Sequence, residues 1–128
     1  MTGVPRYSEV VRRLFATAPH SGSLPAGPGA RRHGEAMALD RAAWVRFDLR
    51  LYQGRVADAR FRAWGCPHLL AACALVAERM VGQTPAEAVV LDAAALAREL
   101  DAPPEKLGRF LVLEDALHGL AAGMREAQ

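Results

Sequence analysis

Apolar residues near the N-terminus recur at helical spacing and then give way to a polar stretch. Ser8 opens a short amphipathic helix, which Pro19 ends. Residues 18–33 are rich in glycine and proline and predict a loop, because they cannot continue a helix and hold too little apolar area for a core. A weak strand is expected over residues 33–39. The apolar positions of the helix are Val10, Val11, Leu14 and Phe15.

From Trp44 the spacing changes to strict alternation, which predicts a half-buried β-strand. Apolar residues take every second position over residues 45–51, and charged residues stand between them. Gln53-Gly54 predicts a turn, after which a second strand runs over residues 56–64. We therefore expect the two strands to pair as an antiparallel hairpin.

After Gly65 the spacing is helical again. A central helix is expected up to Met80, with Gly82 as its stop signal. Thr84-Pro85-Ala86-Glu87 predicts a capped helix start. Further helices are expected over residues 91–100 and from about residue 105, fraying near Gly123.

This order of elements predicts the α+β class. We expect a small antiparallel three-stranded sheet with helices packed on one face. A length of 128 residues allows one core of ordinary size, so residues 1–128 are interpreted as a single domain.

Composition narrows the classes of function. Apolar residues make up 52% and charged residues 23%, which is typical of a folded globular chain. The net charge is only +2 and the basic residues form no block, so we expect no nucleic-acid partner. Residues 69–77 are too short an apolar run to span a membrane, and residues 1–8 lack a secretion signal. We therefore expect a cytoplasmic protein, and we also expect its source to be bacterial.

The two cysteines have different predicted roles. Cys66 opens the central helix, where free N–H groups and the positive end of the helix dipole favour a thiolate. It is a candidate nucleophile, sulfur acceptor or metal ligand, and the structural alternative is a small residue packed at a strand-to-helix junction. Cys73 lies in the apolar stripe of the same helix and is interpreted as core. About 10 Å of helical rise separates the two thiols, too far for a disulfide.

Over nearly its whole length the chain resembles the IscU/NifU type of iron-sulfur cluster assembly scaffold. The most specific part is the strand that leads through Gly65 into Cys66 and the central helix. The resemblance implies an IscU/SufE-like fold, a cysteine desulfurase and assembly chaperones as partners, and no enzymatic activity. Its other motifs are Tyr7-Ser8-Glu9-Val10-Val11, Gly34-Glu35-Ala36, Asp58-Ala59-Arg60-Phe61, Pro103-Pro104-Glu105-Lys106 and Leu113-Glu114-Asp115-Ala116-Leu117.

The ligands that the resemblance implies are only partly present. Three cysteines and an aspartate hold the cluster in such scaffolds, but the family's Cys-Gly-Asp falls on Arg41-Ala42-Ala43 and its His-Cys falls on Gly108-Arg109. Arg41, Ala43 and Arg109 are therefore degenerate ligand positions. Cys66 alone remains, and a cluster that takes four ligands does not fit one thiolate.

Two further residues are candidates for the site. His68 could add an imidazole ligand for iron or zinc, and its alternative interpretation is an exposed residue in the first helical turn. Lys106, the only lysine, matches a family position close to the cluster cysteines, where a cation would stabilise a thiolate or persulfide at Cys66. Its alternative interpretation is a surface lysine at a helix start. His33, Glu114 and Asp115 are weaker candidate ligands or ordinary surface groups.

Three functions remain open from the sequence. The chain is a scaffold or carrier that binds iron, a nascent cluster or persulfide sulfur through Cys66, with a homodimer as one way to supply a second thiolate. Alternatively it is a SufE-like sulfur acceptor that takes a persulfide on one cysteine. The third possibility is a cluster-free module that binds partners of the assembly machinery.

Overall fold

The computed structural model describes residues 7–126, with side chains through residue 124. Residues 1–6 and 127–128 lie outside the described part. They include both ends of the predicted single domain and most of the N-terminal segment that is expected to lack a secretion signal. Three strands and five helices make up the structure. The strands are β1 (Ala30–Ala38), β2 (Ala43–Tyr52) and β3 (Arg55–Trp64); the helices are α1 (Glu9–Thr17), α2 (Pro67–Met80), α3 (Pro85–Ala88), α4 (Ala93–Glu99) and α5 (Leu107–Glu126). Short 3-10 turns cover Leu39–Arg41 and Pro104–Lys106.

The strands form one antiparallel sheet in the order β1-β2-β3. Gln53 and Gly54 both have positive φ, so the predicted turn between β2 and β3 is confirmed. The register shifts between Arg50 and Leu51, which leaves Ala57 as an extra residue in β3. This bulge places Val56 and Ala59 on the buried side and Ala57 outside, which simple alternation does not predict.

All the helices that contact the sheet lie on one of its faces, which confirms the predicted α+β class. Helix α5 packs on β1 and β2, while α2 packs on β3 and α1 packs on α2. Large apolar side chains fill the space between these layers. The largest fully buried ones include Phe47, Leu49, Leu69, Phe110, Leu113 and Leu117.

Charged side chains cover the other face of the sheet. Arg46 donates two hydrogen bonds of 3.0 Å to the carboxylate of Asp48, and Arg62 lies 3.6 Å from the same carboxylate. Burial raises the pKa of Asp48, but the hydrogen bonds from Arg46 and the charge of Arg62 outweigh it and hold that pKa below its usual range. The predicted polar alternation of β2 therefore corresponds to an ion-paired surface.

The backbone of β1 contacts the backbone of α5 directly. A Cβ atom on Gly34 would lie 2.8 Å from the Leu120 Cα atom and would also collide with the carbonyl oxygen of Ala116. Gly119 of α5 faces the same strand, since the carbonyl oxygen of Glu35 would lie 3.9 Å from its Cβ. Only glycine at position 34 permits this approach, which brings the helix down onto the sheet.

Two predicted boundaries differ from the structure. The Gly/Pro-rich loop was expected over residues 18–33, but β1 begins at Ala30, and Arg32 is paired with Leu49. The arginines at the start of β1 give no apolar alternation, so the sequence hides this part of the strand. At the other end of the chain, α5 continues past Gly123 to Glu126 instead of fraying.

No helix within residues 7–126 combines the length and the apolar character that crossing a membrane requires.

We predict that Gly34→Ala lowers the free energy of unfolding by about 1–3 kcal/mol, because the added methyl group meets helix backbone that cannot move aside. Urea unfolding followed by circular dichroism measures this change. Gly119→Ala is the matched control: its Cβ meets only ordinary contacts, so removing a helix-interior glycine should raise stability by about 0.5–1 kcal/mol. Equal effects of the two substitutions would contradict the close approach.

Candidate functional site

Three chain segments meet at the end of the sheet where β3 runs into α2. The carbonyl oxygen of Ala42 lies 3.6 Å from where a Cβ of Gly65 would stand. The Arg109 Nε donates a hydrogen bond of 3.1 Å to the carbonyl oxygen of Arg41. The turn before β2, the Gly65-Cys66 junction and the start of α5 are thereby joined into one surface.

Cys66 lies at the point where the chain changes from strand to helix. It is the N-cap residue of α2, with φ −79° and ψ 163°, and Pro67 occupies the first helical position. Gly65 before it has φ +155°, in a region that side chains disfavour, and a Cβ there would lie 2.7 Å from the Leu69 Cδ2 atom. The thiol is half-buried and makes no capping hydrogen bond, so its sulfur is available for chemistry.

Cys73 is core, as predicted. Its side chain is fully buried in the apolar stripe of α2, and burial raises the pKa of its thiol far above the ordinary value. A thiol that stays protonated and inaccessible neither binds metal nor attacks sulfur. Cys66 is therefore the more accessible of the two thiols.

His68 is not the exposed residue that one interpretation of the sequence expected. It is only 2% exposed, and its ring lies 4.8 Å from the ring of Tyr7, centroid to centroid. Neither ring nitrogen has a hydrogen-bond partner among the described residues. Burial, and secondly the charge of Lys106, lower the pKa of this imidazole. Neutral His68 thus packs beneath the start of α2, two residues along the chain from Cys66.

Ser8 holds Tyr7 in place over His68. Its hydroxyl accepts a hydrogen bond from the Val11 amide as the N-cap of α1 and donates one of 3.0 Å to the carbonyl oxygen of Leu100. The Tyr7-Ser8 motif is therefore a structural support of the site. The sequence carries no sign of this long-range contact, which is why the burial of His68 was missed.

Lys106 lies at the same end of the molecule. It ends the 3-10 turn Pro104–Lys106, where its amide donates to the carbonyl oxygen of Pro103. Its ammonium group is near enough to lower the pKa of His68, and it forms no ion pair with any described carboxylate. The charge of Lys106 therefore reaches the first turn of α2 at His68, and its role toward Cys66 stays a prediction.

Arg41 and Arg109 line a hollow of about 200 Å³ together with Asp40 and Glu105. The Arg41 guanidinium lies against Gly108, where a Cβ would stand 2.7 Å from its Cζ atom. Ala43, the third degenerate position, is fully buried and faces away from solvent. The two arginines therefore form the open part of the surface.

The other candidate ligands lie apart from this surface. His33 pairs with Asp48 in the sheet register, several residues from the site end of β1. The Glu114 carboxylate accepts a hydrogen bond of 3.2 Å from the amide of Ala93 and so supports α4. Within the described part of the chain, no three His, Cys, Asp or Glu side chains are grouped as metal ligands would be.

Comparisons with known proteins agree on one family. The model of the family described as NifU-like N terminal domain matches residues 6–124. Iron-sulfur cluster assembly protein 3 of Arabidopsis thaliana is 30% identical over 78% of this chain and 54% of its own length. The scaffold protein IscU of Azotobacter vinelandii is 37% identical over 51% of each chain. This chain thus spans about half the length of the curated relatives it matches.

Solved structures show the same fold. An iron-sulfur cluster assembly scaffold for the SUF system from Fervidobacterium islandicum superposes with a TM-score of 0.68 at 18% identity, over 88% of this chain and 93% of that one. A NifU-like N-terminal protein from Brucella abortus superposes with a TM-score of 0.60, also at 18% identity, over 93% and 92% of the two chains. Both likenesses confirm the expected IscU-like fold.

We predict that the free energy of unfolding falls as the pH is lowered from 7.5 to 5.5, because the unfolded chain takes up a proton at His68 that the folded chain resists. One such group changes the stability by at most about 1.4 kcal/mol per pH unit. Urea unfolding at several pH values should show this slope reduced in His68→Phe and retained in His118→Gln, whose histidine is exposed on α5. Identical slopes for the parent and His68→Phe would contradict the buried, neutral histidine.

Proposed function

Because this chain belongs to the family of NifU-like N-terminal domains, we propose that it serves iron-sulfur cluster assembly as a scaffold-like protein whose cargo is attached to Cys66. The observation that supports this most is the surface where the family's ligand positions meet. Arg41, Cys66 and Arg109 occupy it, and only Cys66 is a thiol. The cargo is iron, a nascent cluster or persulfide sulfur.

The ligand set of one chain does not match a whole cluster. A [2Fe-2S] cluster takes four ligands, whereas this surface offers one thiolate beside guanidinium groups that repel metal ions. Two protomers that share iron or a nascent cluster would supply two thiolates, one Cys66 from each. A homodimer is therefore part of the scaffold proposal.

The second candidate function is that of a sulfur acceptor, and the positively charged side chains at this end of the molecule favour it. A Cys66 thiolate would attack the outer sulfur of a donor persulfide, breaking the donor's S–S bond and releasing the donor thiolate. The product is a persulfide on Cys66, and the exchange needs no added oxidant or reductant. The ammonium of Lys106, near the first turn of α2, would stabilise such an anion.

Partners and location follow from the same proposal. We expect a cysteine desulfurase to supply the sulfur and assembly chaperones to help release the cargo, in the cytoplasm. The role is that of a carrier and not of an enzyme. A cluster-free partner-binding module is the outcome if Cys66 carries neither iron nor sulfur.

We predict that anaerobic incubation with ferrous iron and sulfide gives a visible absorbance band in the parent chain, which Cys66→Ala abolishes because no other accessible thiol is described. Cys73→Ala is the matched control and should keep the band, since that thiol is buried. Size-exclusion chromatography should find the band in the dimer fraction.

A colourless parent would contradict the scaffold proposal. Transfer of labelled sulfur from a desulfurase to the parent and to Cys73→Ala, but not to Cys66→Ala, would then establish the acceptor role. Failure of both reactions leaves only the partner-binding module.

A further inference from the structure

The charged hollow between Arg41 and Arg109 is a second feature of this surface, separate from Cys66. We propose that this hollow binds a small oxyanion, such as phosphate, sulfate or a carboxylate group. The inference goes beyond the proposed function, because it depends on the guanidinium groups alone. Its residues stand at positions where the resemblance expects metal-binding cysteines.

The two guanidinium groups are held but not satisfied. Arg41 is seated against the bare backbone of Gly108, and the Nε of Arg109 is used in the hydrogen bond to the Arg41 carbonyl oxygen. Among the described residues, no acceptor lies within hydrogen-bond distance of the Arg41 guanidinium or of the terminal nitrogens of Arg109. Donors that are positioned in advance lose little entropy when a ligand binds them.

The charges around the hollow also favour an anionic ligand. Lys106 and Arg109 stand around the start of α5, where the positive end of the helix dipole disfavours cations. Asp40 and Glu105 line the hollow but lie more than 4 Å from the guanidinium nitrogens, since no ion pair joins them in the described part. An anion in the hollow would relieve this repulsion.

Geometry selects the class of anion. A guanidinium presents parallel N–H groups that match two oxygens of a carboxylate or phosphate, whereas the single spherical chloride ion matches this fork less well. The hollow of about 200 Å³ between the two guanidinium groups has room for an oxyanion of the size of phosphate. The lining is almost wholly charged, so an apolar ligand is a poor match.

The test is a titration of the full chain with potassium phosphate, potassium sulfate and potassium succinate, each against potassium chloride at the same ionic strength. NMR of the arginine Nε–Hε signals reports which guanidiniums respond. We expect saturable shifts of Arg41 and Arg109 with at least one oxyanion and none with chloride. The preferred anion distinguishes a phosphate-like from a carboxylate ligand.

Four variants test which residues bind the anion. Arg41→Gln and Arg109→Gln should each weaken binding about tenfold or more, since a charge-assisted hydrogen bond is lost. Glu105→Gln should strengthen binding, because it removes a carboxylate from the lining. Arg12→Gln, at an exposed position of α1, is the control and should change nothing.

Shifts that chloride reproduces, or losses that Arg12→Gln shares, would overturn the proposal. Binding of magnesium or zinc ions to Asp40 and Glu105 in place of an oxyanion would also overturn it. Iron or sulfur chemistry at Cys66 does not enter these measurements, so failure here leaves the proposed function untouched.

Discussion

The structure depends on the direct backbone contact between β1 and α5 at Gly34. Without a side chain at this position, the helix can lie against the strand with the Leu120 Cα atom within contact distance. The contact fixes how α5 crosses the sheet, and therefore where its first turn begins. Arg109 in that turn then reaches the carbonyl oxygen of Arg41, which precedes β2.

At the candidate site, the backbone arrangement agrees with the family's fold, but the side chains differ from those that the resemblance expects. The junctions at Ala42, Gly65 and Gly108 bring together the positions at which the resemblance expects cluster ligands. At those positions the chain carries guanidinium groups and one thiol. The fold is thus that of the family, while Cys66 is the one thiol that accompanies the two guanidinium groups at these positions.

Local signals predicted most of the fold, and tertiary contacts account for what they missed. Alternation over residues 45–51 and the capped start at Thr84 correspond to observed elements, because both depend on neighbouring residues. His68 was ambiguous because Tyr7 covers it from a distant part of the chain. The arginine hollow was missed as a site, since only the folded chain shows that Gly108 makes room for Arg41.

The most direct test of this account restores thiols to the two arginine positions. The double variant Arg41→Cys, Arg109→Cys, which adds two thiolates beside Cys66, should be reconstituted anaerobically with iron and sulfide and assayed for iron per chain and for loss to a chelator. If the backbone keeps the ligand geometry, the variant will bind more iron per chain than the parent and release it more slowly. A folded double variant that retains no more iron than the parent would contradict the account.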